Sequence, residues 1–354
     1  MSEEESGVLL DRNNGLGVVT LNRPKALNAL TLEMIETLDP QLAEWAADDS
    51  LGAVLIKGAG EKAFCAGGDV RAVWRAGKDG GDLTKLFFWE EYRLNRRIHV
   101  FPKPYVAILD GVTMGGGVGL SIHGSHRIAT ERLMFAMPET AIGLFPDVGG
   151  TWFLNRCPGE TGLYLALTGA RLGAADAAAL GLATHVVPSE RIAALEEALA
   201  AADLSGDARG AVDRIVAEHA VHAGEPTLAP HRAVIDRCFA YDSVEEILAA
   251  LEAEGGAFAA ETLAGLRKKS PTSMKVSLAQ LRRGRGLDFD SAMTMEYRLS
   301  QACMRPGSDF YEGIRAVLVD KDHAPRWTPA TLEEVSDAMV DGFFQPAERE
   351  LLFD

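Results

Sequence analysis

The spacing of apolar positions changes along the chain, and the changes mark out elements. "GVVTLNRP" (17–24) is a short β-branched run stopped by Pro24, which predicts a strand. "ALTLEMIETLDPQLAEWAAD" (29–48) has apolar residues at helical spacing, with Thr31 placed to cap the start. "GAVLIKGAG" (52–60), "YVAILDG" (105–111) and "HRIAT" (126–130) predict further strands, apolar on both faces. Residues 157–182 predict helix punctuated by glycines and lead into a strand-like "THVVP" (184–188). From about 190 to 268 the chain turns Ala- and Glu-rich, as in "RIAALEEALAAAD", and predicts amphipathic helices. A last helical region opens at "SPTSMK" (270–275), where Ser270 precedes Pro271 at a helix start. The expectation is a layered α/β (α+β) protein, with an α/β part over 1–190 and a helical part over 191–354.

Length and composition narrow the class. The 354 residues are 47 % hydrophobic, enough for a sizeable core. A formal charge of −16 argues against nucleic acid or an anionic membrane as a bulk partner, but leaves room for an anionic small ligand at a local basic patch. Cys65, Cys157, Cys238 and Cys303 lie far apart with no C-x-x-C pair, which argues against zinc and a disulfide framework and points to a reducing compartment. The start, "MSEEESG", lacks a basic or apolar leader pattern, so the expected location is cytoplasmic. The most membrane-like stretch, 105–122, contains Asp110 and five glycines and reads as strand, turn and helix start.

Two glycine-rich turns carry candidate chemistry. In "DGVTMGGGVGLSIHG" (110–124) a buried strand meets a triple glycine and then an apolar helix. Unpaired N–H groups at a helix start carry positive partial charge and suit an anion or a developing oxyanion; tight strand–helix packing explains the glycines equally well. "KAFCAGGDV" (62–70) offers a second such turn, and an oxyanion hole needs two donors. Cys65 there reads as a small buried hydrophobe more readily than as a nucleophile. The dinucleotide, P-loop and G-x-S-x-G patterns are absent.

A third stretch, "MPETAIGLFPDVGG" (137–150), holds two acids, Glu139 and Asp147, among apolar and small residues. A carboxylate in such surroundings has a raised pKa and can serve as base, acid or nucleophile. The plainer readings are an acid at a helix start for Glu139 and a turn residue for Asp147. His123 and His126 lack a third ligand nearby, and the basic runs at 93–99 and 281–286 read first as solvated faces.

Taken in order, "LNRPKALNAL" (21–30), "KAFCAGGDV", "MGGGVGL" (114–120), "MPETAIGLFPDVGG", "LTGARLGAADAAALGLATHVV" (167–187) and "EGIRAVLVDKDHAPRW" (312–327) resemble the crotonase (enoyl-CoA hydratase/isomerase) superfamily. The resemblance covers nearly the whole chain. It implies a spiral of ββα units closed by C-terminal helices, and an acyl-CoA substrate whose thioester oxygen is held by two backbone N–H groups, by motif position those of Ala66 and Gly116. It places the substrate against Gly67, Gly68, Asp69 and Glu91, and makes Lys25 a candidate for the CoA phosphates. No metal or redox cofactor is implied, since CoA is part of the substrate, and a homo-oligomer is a common state among members.

One departure bears on the reaction. Hydratases of the superfamily carry a glutamate shortly after the triple glycine, where this chain has Gly119, and many have glycine where this chain has Asp147. That combination resembles the branch that hydrolyses branched 3-hydroxyacyl-CoA thioesters in valine breakdown, with Glu139 and Asp147 as the acid pair. The alternatives are a hydratase or isomerase with an altered site and a non-catalytic acyl-CoA-binding protein.

Overall fold

The computed structural model describes residues 6–353. The acidic start of the chain, on which the leader argument rested, lies almost wholly outside them. Among the described residues nine strands form two sheets: β1 (Val8–Asn13), β2 (Leu16–Leu21), β3 (Ala53–Gly58), β4 (Ala63–Cys65), β5 (Tyr105–Leu109), β6 (Val112–Met114), β7 (His126–Ala129), β8 (Met134–Ala136) and β9 (His185–Val186). The larger sheet runs β1-β2-β3-β5-β7-β9 and the smaller β4-β6-β8. Only β1 is antiparallel to its neighbour in the larger sheet; β2 to β9 pair in parallel, with Leu16 opposite Ala53 and Val54 opposite Tyr105. Parallel pairing requires crossovers, so both faces of the central strands are covered, and their unbroken apolar runs follow from that.

The chain forms two compact units that interleave along the sequence. The first gathers the chain up to Gly68, Arg93–Phe135 and Arg171–Thr227. Its core lies between the larger sheet and the helices Ile192–Ala201 and Ala208–His219, where Leu55, Val106, Ile108, Leu195, Val212 and Val216 are buried together. The second gathers Asp69–Tyr92, Ala136–Ala170 and the chain from Leu228 onward, and it is helical. Every regular element described beyond Val186 is a helix, and the compact units run across the expected boundary at 190.

Local signals explain most element ends. The helix Leu32–Ala47 starts where the Thr31 hydroxyl accepts the Met34 N–H at 3.3 Å. Ser270 accepts the Ser273 N–H at 2.9 Å, with Pro271 in the first turn of the helix Pro271–Gly284. The predicted helical stretch 157–182 is broken by Gly169, whose φ of 64° ends Thr161–Thr168 before Ala174–Ala179 begins. Residues 105–122 form β5, β6 and the short helix Gly116–Gly119, and among the described residues no helix is long and apolar enough to cross a membrane.

Candidate active site

The two glycine turns lie side by side in the first unit. β4 and β6 pair in parallel, so the chain leaves both strands in the same direction, into 66–68 from one and into 115–117 from the other. Gly117 packs against β4 closely enough that a Cβ would overlap the Cys65 carbonyl oxygen, and Gly115 turns the chain at a φ of 45°. Gly116 opens a helix, so its N–H has no intrahelical acceptor.

The expected partner donor requires a correction. The Ala66 N–H donates to the Leu27 carbonyl at 3.0 Å and is therefore engaged within the protein. Gly67 has a φ of 110°, and its carbonyl accepts the Leu30 N–H at 2.9 Å. Among the described residues neither the Gly68 N–H nor the Gly116 N–H has an acceptor, so Gly68 replaces Ala66 as the available donor of that turn. Sequence position alone could not separate neighbours in a glycine turn; the bridge between Leu30 and Gly68 does. Asp69 caps the helix Val70–Asp79 by accepting the Ala72 N–H at 3.3 Å. Lys25 is exposed in the turn Pro24–Ala26, close to Gly60.

The acids gather in the second unit. Glu139 opens the 3-10 turn Glu139–Ile142, which ends at Gly143 with a φ of 73°; a Cβ there would overlap the Asp309 carbonyl. Asp147 precedes Val148 and Gly149, both at positive φ, and the helix Gly150–Leu154. Glu91 and Tyr92 come from the helix Leu83–His99. All three carboxyls are buried, at 2 % exposure for Glu91 and 4 % for Glu139 and Asp147. One oxygen of Glu91 and one of Glu139 have no hydrogen-bond partner in the protein, which a folded chain tolerates chiefly where a substrate or a proton will use them.

Burial governs their protonation. It holds the Glu139 carboxyl well above its ordinary range, with the Asp147 charge adding to the effect and a backbone hydrogen bond and Lys269 opposing it. Burial, then Asp147 and Glu139, raise Glu91 in the same way. Asp147 is pushed up to about 7 by burial, against the Tyr92 hydroxyl, which donates to its Oδ2 at 2.9 Å. Like charges crowded in a dry place cannot all ionise at neutral pH, and Asp147, near 7, sits in the range where a general base works. Lys269, partly buried, is the cation acting on Glu139.

Three participants in this cluster escaped the sequence reading: Tyr92, Lys269 and Glu296. Glu296 is fully buried and accepts the Gly149 and Thr151 N–H groups at 2.7 Å each. Burial raises its carboxyl to about 8 against those hydrogen bonds. The signal for it was present, as an acid in the helix Phe289–Cys303 at a position flanked by buried Met295 and Tyr297. Gly119 ends the helix of the triple glycine and is buried, so that turn contributes no carboxylate.

The remaining candidates have ordinary roles. His126 is held by Ser125 at 2.9 Å and Asp213 at 2.8 Å, and the Ser125 hydroxyl also accepts the Tyr105 N–H, which makes the trio a structural network. In the basic runs, Arg97 pairs with Asp39, Arg282 and Arg285 with Glu160, and Arg283 with Asp341. Among the described residues no three His, Cys, Asp or Glu side chains are grouped to hold a metal ion.

Comparison with known proteins bears on both fold and chemistry. The family described as Enoyl-CoA hydratase/isomerase matches residues 16–344. A mitochondrial 3-hydroxyisobutyryl-CoA hydrolase from Gallus gallus is 51 % identical over 98 % of this chain and 90 % of its own length. Its counterpart from Homo sapiens is 49 % identical over 96 % and 88 %. Among solved structures, a carnitinyl-CoA dehydratase from Mycobacterium thermoresistibile superposes with a TM-score of 0.93 at 43 % identity, covering 99 % of both chains. An enoyl-CoA hydratase from Rhodobacter sphaeroides 2.4.1 superposes with a TM-score of 0.90 at 40 % identity, covering 98 % of this chain and 100 % of that one. The curated relatives are mitochondrial, which overturns the expectation of a cytoplasmic location. That expectation rested on the leader pattern missing from the start and on cysteines outside any C-x-x-C pair, and reduced thiols report a reducing environment without naming the compartment.

Proposed function

The chain belongs to the enoyl-CoA hydratase/isomerase family, and from that premise we propose that it hydrolyses an acyl-CoA thioester, 3-hydroxyisobutyryl-CoA, as a step of valine degradation. The observation that carries the reading is the buried pair Glu139 and Asp147 in a chain with Gly119 where hydratases of the family have a glutamate. A hydratase that relies on two glutamates lacks one here. The names of the curated relatives support the same substrate.

In this mechanism the N–H groups of Gly68 and Gly116 receive the thioester oxygen as it gains charge. Loss of one such donor costs about 3 kcal/mol of transition-state stabilisation. Glu139 either attacks the carbonyl carbon, giving a mixed anhydride that water then opens, or takes the proton from an attacking water. Both routes expel the CoA sulfur as thiolate, which takes up a proton, and both yield the free acid and CoA. Asp147 orients the water or the 3-hydroxyl of the substrate, and Glu91 lines the acyl end. Lys25 is the candidate contact for the CoA phosphates.

The test is thiol release from 3-hydroxyisobutyryl-CoA, read with a thiol reagent, beside crotonyl-CoA read by loss of its conjugated absorbance. Thiol release that Glu139→Gln and Asp147→Asn abolish, with crotonyl-CoA untouched, is the expected outcome. Hydration of crotonyl-CoA without thiol release would instead establish an altered hydratase.

A further inference from the structure

We propose that Glu296 and Tyr92 are positioning residues for Asp147, Glu296 acting through the backbone of its loop and Tyr92 through its side chain. The proposal rests on the reading of Asp147 as one of the reacting acids.

The loop needs holding. Val148 adopts a φ of 50° and Gly149 a φ of 89°. A β-branched residue at positive φ is strained and persists only where its surroundings enforce it. The enforcing group is Glu296, whose two oxygens take the Gly149 and Thr151 N–H groups at 2.7 Å each. A buried carboxylate is a poor choice for stability alone, since a well-packed apolar side chain of similar volume is often as good. Its distinct capacity is to accept two N–H groups at once and so fix the turn that carries Asp147. Gln280 supports the flank, its amide donating to the Pro146 carbonyl at 2.7 Å and to the Thr151 hydroxyl at 2.9 Å.

Tyr92 fixes the carboxyl itself. Its buried hydroxyl donates to Asp147 Oδ2 at 2.9 Å. Its ring is held edge-on by Phe88 and Tyr297, with centroids 6.0 and 6.5 Å away. Tyr297 follows Glu296 directly, so the helix Phe289–Cys303 holds both the Asp147 loop and the ring that reaches its side chain.

Titratable groups bear on Asp147 from several elements: Glu91 and Tyr92 on the helix Leu83–His99, Glu139 on its 3-10 turn, and Glu296 and Cys303 on the helix Phe289–Cys303. The Tyr92 hydroxyl is the foremost influence that favours the Asp147 carboxylate. Its removal therefore moves Asp147 to a higher pKa.

The test combines titration and kinetics. The protein is labelled with 13C at the aspartate carboxyls, and Asp147 is assigned by its absence in Asp147→Asn. Its titration is then followed in the wild type, Tyr92→Phe and Glu296→Gln, beside thermal melts. Expected are a midpoint near 7 in the wild type and a higher one in Tyr92→Phe. Thiol release by Tyr92→Phe should fall about 10-fold in kcat at pH 7 with little change in KM. Glu296→Gln should lose on the order of 100-fold in kcat, again with KM nearly kept, and Glu296→Asp should recover part of it. A folded Tyr92→Phe with an unmoved Asp147 titration and unchanged kcat overturns the role of Tyr92, and a folded Glu296→Gln with wild-type kcat overturns that of Glu296. Should Glu296→Gln fail to fold, the milder Glu296→Asp decides: wild-type kcat in that variant counts against the clamp, and a fall in kcat at constant KM supports it. Failure of the wild type to release thiol would defeat the hydrolase reading, and the Asp147 titration would still decide the positioning of its side chain.

Discussion

At the scale of single residues, the proposed chemistry depends on acids whose charge is suppressed by their surroundings. Glu139→Gln and Asp147→Asn should each lower kcat for thioester hydrolysis by about 10²–10⁴-fold with KM much less affected, since each removes a proton-handling group and leaves the binding surface in place. Asp147 is raised to about 7, and an orienting carboxylate must be ionised. Glu139, raised in the same direction, must also ionise to act as nucleophile or base, so the rate should rise with pH from about 7 upward, and a kcat profile from pH 5.5 to 8.5 checks it. Glu139 and Asp147 were legible in the sequence because acids among apolar neighbours are conspicuous. Ala66 was a misreading by two positions, since the direction of an N–H in a glycine turn depends on its pairing with Leu27 and Leu30, which lie more than 35 residues away. Glu296 and Lys269 were illegible for the same kind of reason, being more than 100 residues from the acids they act on.

At the scale of elements, glycines divide into those the packing requires and those it tolerates. Gly117 lies in the helix Gly116–Gly119 against the Cys65 carbonyl, so Gly117→Ala should push the glycine turn off β4 and lower both the melting temperature and kcat. Gly265 lies in the helix Gly256–Leu266 with nothing within 4 Å of a would-be Cβ. Gly265→Ala should stabilise by about 0.5–1 kcal/mol and leave kcat alone. Paired thermal melts and thiol-release assays distinguish the two. Strands β2, β3, β5 and β7 were readable because each is a short apolar run closed by Pro, Gly or a polar residue. β1 was missed because its apolar run is only Val8–Leu10 and, as suits an edge strand, its residues beyond Leu9 are exposed. The three-residue strands of the smaller sheet are too short to show a period.

At the scale of the whole molecule, the acid cluster sets how stability varies with pH. Asp147 near 7 and Glu296 near 8 sit above their ordinary values of 3.8 and 4.5. Between about pH 4 and 8 the folded chain thus binds more protons than the unfolded chain, and stability falls as pH rises. The melting temperature should drop from pH 5 to pH 8, and Asp147→Asn should flatten that slope while raising the melting temperature at pH 8 by a few degrees. The sequence supported the family fold and the helical end of the chain. The interleaving of the two compact units was beyond it, since composition along the chain carries no record of which distant segments pack together. The four cysteines bring a different consequence. All are buried, and burial raises the Cys157 thiol to about 12 and lifts Cys238 and Cys303 as well. Thiolates are the reactive form, so the native protein should consume almost no disulfide reagent, and the denatured protein four equivalents per chain. The cysteines then act as an internal clock, because under native conditions each modification reports one opening of the fold around it. The order in which they react ranks the stability of their surroundings, with Cys65 reporting on the glycine turn and Cys303 on the helix that holds the Asp147 loop.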